Sequence, residues 1–130
     1  MRIVSTLENQ NIEKRIAITP DIAKKYIALG FEVLLSESYG DHLGIKDEDY
    51  KELGVKTSKD DNEILNSADL IIQLGLLSDE KISSIKENQT IIGVLNPYEN
   101  KDKIDNLLKK KINMFHEWIT SDSELSIFVV

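Results

Sequence analysis

Three polar side chains follow apolar runs of the chain, where they could contact a ligand. Arg15 lies in "EKRIAITP", Gln73 ends the run "ADLIIQ", and Asn96 follows "QTIIGVL". An arginine guanidinium presents a planar set of donors that suits a carboxylate or a phosphate. The two amides can both donate and accept hydrogen bonds. We therefore take Arg15, Gln73 and Asn96 as candidates for a substrate or cofactor cleft.

Each candidate also has a purely structural interpretation. Arg15 could equally be a solvated charge or form an ion pair with one of the many acidic residues. Amides at strand ends more often satisfy backbone groups of the neighbouring loops, which is the favoured alternative for Gln73 and Asn96. Lys14, next to Arg15, is interpreted as a surface residue. These alternatives remain open at the level of the sequence.

The chain offers few groups for catalysis. Neither Gln73 nor Asn96 titrates, so neither can act as an acid, a base or a nucleophile. There is no cysteine, and of the two histidines His42 lies in a glycine-containing turn while His116 has no recognisable partner. No ordered Ser-His-Asp set, spaced carboxylate pair or metal-ligand cluster is present. We predict no catalytic residue and no metal site in this chain.

Alternating apolar and amphipathic stretches predict the elements that position these residues. The runs "RIVST", "FEVLLSE", "ADLIIQLG", "QTIIGVL" and "INMF" have the length and composition of strands. A helix is predicted over 20–29, with Thr19 as its N-cap and Gly30 after its end. Shorter helices are predicted over "DEDYKELG", capped by Asp47, over "DDNEILNS", and over "SDEKISSIK", capped by Ser78. The stretch "ENKDKIDNLLKKK" predicts a longer helix, acidic at its start and basic at its end.

This order of elements predicts one α/β domain over 1–130. Its doubly wound, mostly parallel sheet is flanked by helices and is flavodoxin-like or Rossmann-like. Ligands of such sheets bind outside the carboxyl ends of the strands, which is where the three candidates are expected. No G-x-G-x-x-G follows the first strand, whose loop reads "LENQNIEKR". The chain is therefore not expected to hold a dinucleotide through the Rossmann fingerprint.

Charge and hydropathy exclude several classes of partner. The formal net charge is −7, and a nucleic acid or an anionic membrane requires a basic face. No run approaches the roughly 20 apolar residues that a membrane span needs. The N-terminus lacks a long apolar signal region. We expect a cytoplasmic protein that binds no nucleic acid and inserts nothing into a membrane.

Several stretches in one order resemble a known family. These are "EKRIAITP", "ALGFEVLLSESYGDHLGIKDEDYKELGV" and "SADLIIQLGLLSDEKISSIKENQTIIGVLNPYENKDKIDNLLKKKIN". Together they resemble the N-terminal domain shared by alanine dehydrogenase and the alpha subunit of the proton-translocating NAD(P) transhydrogenase. Several collinear motifs are more specific than any single one. The segment "NPYEN" is closer to the transhydrogenase form.

The resemblance carries implications for the three candidates. Arg15 matches a family arginine that holds the substrate carboxylate in the dehydrogenases. The family usually has a lysine at the position of Gln73, and alanine dehydrogenases have a histidine at that of Asn96. Only Arg15 is therefore retained, and amino-acid dehydrogenase activity is not expected. An alanine-dehydrogenase-like fragment is the alternative that Arg15 supports.

The resemblance also implies a cofactor, partners and a location. In the family a Rossmann domain that follows this region binds most of the NAD(H), and hydride passes between NADH and NADP. This chain would wall one side of the nicotinamide cleft, bind NAD(H) weakly by itself and be inactive alone. Its partners would be other transhydrogenase subunits or domains. Through them it would lie at the periphery of the inner membrane.

The tail over 116–130, "HEWITSDSELSIFVV", does not match the family pattern. We expect it to be a divergent tail, and we expect the chain to be truncated before the NAD-binding domain, with a shortened or frameshifted reading frame as one hypothesis. Its apolar end "SIFVV" predicts an edge strand or a packed tail. It also allows a homodimer, so that the chain would be a non-catalytic interaction module or the relic of a truncated gene.

Overall fold

The computed structural model describes residues 1–11, 13–75, 77–93, 101–119 and 125–129, with the backbone alone over 115–119 and 125–129. Helices and strands alternate along the chain. The strands are β1 Arg2–Ser5, β2 Glu32–Ser36, β3 Lys56–Ser58, β4 Leu70–Gln73, β5 Thr90–Gly93, β6 Asn113–Ile119 and β7 Leu125–Val129. The helices are α1 Pro20–Ala28, α2 Asp47–Lys51, α3 Asp61–Asn66, α4 Asp79–Ile82 and α5 Lys101–Lys109, with a 3₁₀ turn over Asp41–Leu43.

The strands form one sheet in the order β3-β2-β1-β4-β5-β6-β7. The first six strands pair in parallel, and β7 pairs with β6 in the antiparallel direction. The chain thus winds outward from β1 to β3, crosses back to β4 and winds outward again. This confirms the predicted doubly wound, mostly parallel sheet of Rossmann-like type, and the strand order reverses between β1 and β4.

Helices cover both faces of the sheet, as a parallel sheet requires. On one face Ile3 of β1 packs in a core cluster with Ala23 of α1 and Tyr50 of α2. On the other face Val4, the next residue of β1, packs in a second cluster with side chains of α3, α4 and α5. Successive strand residues point to opposite faces, so both are buried. This double coverage explains why the strands read as continuous apolar runs.

Local signals account for the ends of α1. The Thr19 side chain accepts a hydrogen bond from the Ile22 N–H, and Pro20 occupies the first turn. Gly30 follows the helix with a φ of +93°, a left-handed conformation that glycine adopts without the steric cost of a Cβ. All three roles agree with the sequence prediction.

The start of α2 differs from the prediction that Asp47 caps it. Lys46 is the N-cap residue, and its N–H donates to Asp49 Oδ2 at 3.0 Å. Asp47 is the first helical residue, and its carboxylate accepts from the Ser38 N–H at 3.1 Å. Asp47 therefore secures the turn after β2 rather than the first turn of its own helix.

Two buried tyrosines hold the segment "IAI" over 16–18 against the core. The Tyr39 hydroxyl accepts from the N–H groups of Ala17 and Ile18, at 3.1 and 3.2 Å. The Tyr50 hydroxyl donates to the Ile18 carbonyl at 2.8 Å. The rings contact edge to face, with centroids 6.1 Å apart. The long loop between β1 and α1 is thereby fixed at its C-terminal end.

We expect the Tyr50→Phe substitution to destabilise the fold by about 1–2 kcal/mol. It removes only the hydroxyl and leaves the buried Ile18 carbonyl without its donor. Urea denaturation followed by circular dichroism measures the effect. Tyr26→Phe, on the half-buried part of α1, serves as a second tyrosine substitution for comparison. Equal stability of the Tyr50→Phe and wild-type proteins would contradict this role.

Candidate functional site

A cavity of about 420 Å³ lies at the carboxyl ends of β1 and β4, where the strand order reverses. This position is the usual ligand crevice of a doubly wound sheet. The loop after β1, the end of β4 and the helices α4 and α5 contribute to its wall. Its polar lining residues include Glu8, Asn9, Gln73, Ser78, Lys81 and Lys103.

Gln73 joins the ends of β1 and β4 through its side-chain amide. Its Oε1 accepts from the Thr6 N–H at 2.6 Å and from the hydroxyls of Ser5 and Thr6, each at 3.2 Å. Its Nε2 donates to the Thr6 carbonyl at 3.2 Å and to Glu8 Oε1 at 2.9 Å. The side chain is buried, with the residue 2% exposed. The amide satisfies backbone groups of the first loop, in agreement with the structural alternative given by the sequence.

A hydrogen-bonded chain connects Gln73 with the segment held by the two tyrosines. Tyr39 Oη lies 2.9 Å from Ser5 Oγ, and the Ser5 hydroxyl donates to Gln73. The Ser5 hydrogen is therefore used on Gln73, so the Tyr39 hydroxyl donates to Ser5. The same hydroxyl accepts from Ala17 and Ile18. The loop that carries Arg15 is thus connected to the floor of the cavity.

The Glu8 carboxylate fastens the first loop to the end of β4. Oε1 accepts from the Leu74 N–H at 2.7 Å, and Oε2 lies 3.4 Å from the Gly75 nitrogen. Together with the Gln73 amide, three donors surround the carboxylate. Burial nevertheless raises the pKa of Glu8 above its ordinary value, because desolvation outweighs the hydrogen bonds that favour the charged form.

The raised pKa of Glu8 predicts how its contribution to stability depends on pH. Folding favours the protonated form, so the contribution is fully present below the ordinary glutamate pKa and is lost as the pH rises through the raised pKa. We expect the stability difference between the wild type and Glu8→Gln to shift in favour of the variant between about pH 4 and about pH 7. Urea denaturation at a series of pH values measures it.

Glu13 provides the matched control of opposite sign. The Arg15 guanidinium lowers the pKa of Glu13, so its contribution is present above the ordinary pKa and is lost as the pH falls. The stability difference between the wild type and Glu13→Gln should therefore shift in favour of the wild type as the pH rises. A shift in the same direction for both variants would refute the assignment for Glu8.

Lys81 of α4 connects the cavity wall to α3. Its Nζ lies 3.1 Å from the Leu7 carbonyl oxygen, 3.3 Å from Thr6 Oγ1 and 3.3 Å from Asp61 Oδ2. Asp61 also accepts from the Ser36 hydroxyl at 2.6 Å. The charge of Lys81 is therefore compensated within the fold, while its side chain still lines the cavity.

Arg15 lies in the first loop and pairs with Glu13. Its Nε and Nη2 each approach a carboxylate oxygen of Glu13 at 2.9 Å. The Arg15 side chain is 64% exposed, and Arg15 is not among the residues that line the 420 Å³ cavity. The two-toothed contact is the ion pair that the sequence offered as an alternative. The assignment of Arg15 to a ligand cleft stays a prediction.

The structure brings one of the three candidates to the cavity. Gln73 lines it, Arg15 lies outside its wall, and Asn96 falls outside the described residues. His42 is exposed, and its Nε2 lies 2.7 Å from the Lys14 carbonyl oxygen. Among the side chains that the structure describes, no group of three or more His, Asp or Glu residues could hold a metal ion.

Sequence reasoning did not single out Lys81, Lys103 or Glu8 as lining residues. The two lysines lie on amphipathic helices, where charged side chains usually face solvent. Glu8 stood in the loop that the first strand predicts, but its sequence gives no sign of burial. The available signal was the rule that loops at the strand-order reversal form the ligand crevice, and this rule depends on knowing that β1 and β4 are neighbours.

The architecture and the position of the cavity are those of a Rossmann-like domain of an oxidoreductase family. The chain belongs to the family "Alanine dehydrogenase/PNT, N-terminal domain", whose model matches residues 6–125. This confirms the resemblance found in the sequence. The matched segment includes the beginning of the tail over 116–130.

Relatives of the chain include transhydrogenase subunits. It is 34% identical over 119 residues to an NAD(P) transhydrogenase subunit alpha of Rickettsia prowazekii (strain Madrid E), covering 88% of this chain and 31% of that relative. A crystal structure of transhydrogenase from Sinorhizobium meliloti is 25% identical, with a TM-score of 0.80 over 88% of this chain and 34% of that one. The chain therefore spans about a third of the length of these relatives.

An L-alanine dehydrogenase structure shares the fold. It covers 95% of this chain and 35% of that one, with a TM-score of 0.84 at 15% identity. Within the described part of the chain, no helix has both the length and the apolar character needed to cross a bilayer.

Proposed function

We propose that the chain acts as the N-terminal domain of an NAD(P) transhydrogenase alpha subunit, a protein that transfers hydride between NADH and NADP. The observation that carries this proposal is the 34% identity to the Rickettsia prowazekii alpha subunit over 88% of the chain. In this role the chain forms one wall of the nicotinamide cleft. It orients the cofactor, which supplies the chemistry.

The geometry of the crevice supports a role as a wall. The ends of β1 and β4 are tied together by Gln73 and Glu8, so the floor of the cavity is rigid. The sequence has no glycine fingerprint after the first strand, which leaves the pyrophosphate of a dinucleotide without its usual backbone donors. The energy of NAD(H) binding therefore comes mainly from another domain or chain, and this chain alone is inactive.

The proposed role also implies partners and a location. The chain assembles with the other transhydrogenase domains or subunits in the cytoplasm, and through them at the periphery of the inner membrane. Two copies can pair in such an assembly. The alanine-dehydrogenase-like alternative is less well supported, because Gln73 and Asn96 replace the residues implied for that activity.

A chimera tests the proposal directly. The segment of the Rickettsia prowazekii subunit that matches this chain is replaced by residues 6–125, and hydride transfer to an NADP analogue is measured with the other subunits present. We expect activity within about tenfold of the parent. A chimera carrying the matching segment of the Rhodospirillum rubrum subunit, 28% identical to this chain, is the positive control. A folded, NADH-binding but inactive chimera would contradict the proposal.

The purified 130-residue chain separates the alternatives. Calorimetric titration with NADH and with pyruvate is repeated on Arg15→Ala, with Lys14→Ala as the neighbouring control. We expect weak or no NADH binding and no pyruvate binding. Pyruvate binding that is lost in Arg15→Ala and kept in Lys14→Ala would favour the dehydrogenase-like alternative. Reduction of an NADP analogue by the chain alone would refute its inactivity.

A further inference from the structure

Two lysines from different helices line the cavity at the carboxyl ends of β1 and β4. Lys81 comes from α4 and Lys103 from the first turn of α5. Both side chains are partly buried, at 25% and 38% exposure. Two cations at one cavity stand out in a chain whose formal net charge is −7. Like charges in a common cavity repel one another unless an anion lies between them.

The two lysines differ in how far the fold compensates them. Lys81 Nζ has Asp61 at 3.3 Å and two further oxygens near it. Lys103 Nζ approaches Asp79 at 3.9 Å, and the Asp79 side chain is 86% exposed. Such a long and solvated contact contributes little. The positive charge of Lys103 is therefore available to a ligand in the cavity.

Neutral donors complete the wall. The Ser78 hydroxyl accepts from the Lys81 N–H at 3.4 Å, so its own hydrogen can donate to another acceptor. The Asn9 side-chain oxygen accepts from the Asn11 N–H at 3.1 Å, and its amide nitrogen can likewise donate. Ammonium groups with nearby hydroxyl and amide donors suit the several acceptor oxygens of a carboxylate or a phosphoryl group.

The Glu8 carboxylate lines the same cavity and opposes an anion there. The charged and titratable groups that act on it come from four elements. They are Glu13 of its own loop, Tyr39 after β2, Lys81 of α4 and Lys103 of α5. Protonation removes the negative charge of Glu8, and burial already favours its protonated form. An anion in the cavity would strengthen that preference.

We propose that this cavity binds a small oxyanion, a carboxylate or a phosphoryl group, at Lys103 and Lys81, and that Glu8 takes up one proton when the anion binds. The proton comes from solvent and is released when the anion leaves. The site goes beyond the proposed function and does not depend on it, since it involves only the residues of this chain.

Calorimetric titration of the purified chain with sulfate and with acetate tests the site. Both probes are fully ionised at about pH 6 and at about pH 8, so a change in affinity between them reports on the protein. We expect binding to weaken by about fivefold or more at the higher pH, and by a similar factor in Lys103→Gln. Lys109→Gln, in the last turn of the same helix and exposed, should bind as the wild type does.

The variants distinguish the two parts of the proposal. Glu8→Gln should bind anions at about pH 8 as tightly as the wild type does at about pH 6, and its affinity should not change with pH. Tighter binding of sulfate favours a phosphoryl ligand, and tighter binding of acetate favours a carboxylate. Absence of binding by both probes, or equal effects of Lys103→Gln and Lys109→Gln, would overturn the site. A pH dependence that persists in folded Glu8→Gln would overturn the proton uptake.

Discussion

Replacement of Gln73 by leucine is expected to lower the free energy of unfolding by about 3–5 kcal/mol. Leucine fits the volume but cannot accept from the Thr6 N–H or donate to the Thr6 carbonyl. Both backbone groups would stay buried without a partner, each at a cost of about 1–3 kcal/mol. The Ser5 hydroxyl and the Glu8 carboxylate would lose a hydrogen bond as well. Urea denaturation followed by circular dichroism measures the loss.

Gln10→Leu is the matched control for this substitution. Gln10 is exposed, and its side chain lies near His42 at the surface, with Nε2 to Nδ1 at 3.2 Å. Surface substitutions of this kind change stability by about 0.5 kcal/mol or less. If Gln73→Leu were as mild as Gln10→Leu, Gln73 would not join the ends of β1 and β4 in the way the hydrogen bonds indicate. The amide would then be free to serve a ligand.

Local sequence signals predicted the elements whose ends are fixed by neighbouring residues. Helix α1 begins at a Thr-Pro pair and ends before a glycine with positive φ, and these effects act within one turn. Strand β3 was not identified, because three residues with an exposed Lys56 carry no apolar run. It is held by pairing with β2, which no local pattern records.

The candidate site could be predicted only in part, because its contacts join residues far apart in the chain. The rule for doubly wound sheets selects Gln73 correctly as a residue at the crevice. Its partner Glu8 is 65 residues away, and Lys81 meets the Leu7 carbonyl across 74 residues. Arg15 and Glu13 are two positions apart, so their ion pair was within reach of the sequence alternative.

The apolar end of the chain illustrates a different limit. The run "SIFVV" predicted an edge strand, and β7 over Leu125–Val129 occupies the edge of the sheet beside β6. Its antiparallel direction follows from the short connection after β6, since a parallel return needs a longer crossover. The length of the connection therefore decided the direction, whereas the apolar composition decided only that a strand forms.

Leu107→Ala should destabilise the fold by about 2–5 kcal/mol, because it removes a fully buried side chain and leaves a cavity. Leu107 of α5 is 0% exposed and packs in the cluster that covers the Val4 face of the sheet. That packing fixes α5, which carries Lys103 to the cavity. Thermal and urea denaturation measure the loss of stability, and anion titration measures the effect on the site.

The next residue of the same helix offers the control. Leu108 is 41% exposed, so Leu108→Ala has the same chemistry and nearly the same helix propensity but should cost about 1 kcal/mol or less. Under conditions where both variants are folded, we expect weakened anion binding only in Leu107→Ala, because only there does α5 lose its anchor beneath Lys103. Equal losses of stability for the two variants would mean that α5 does not pack on the sheet through Leu107. The position of Lys103 at the cavity would then have to be abandoned with it.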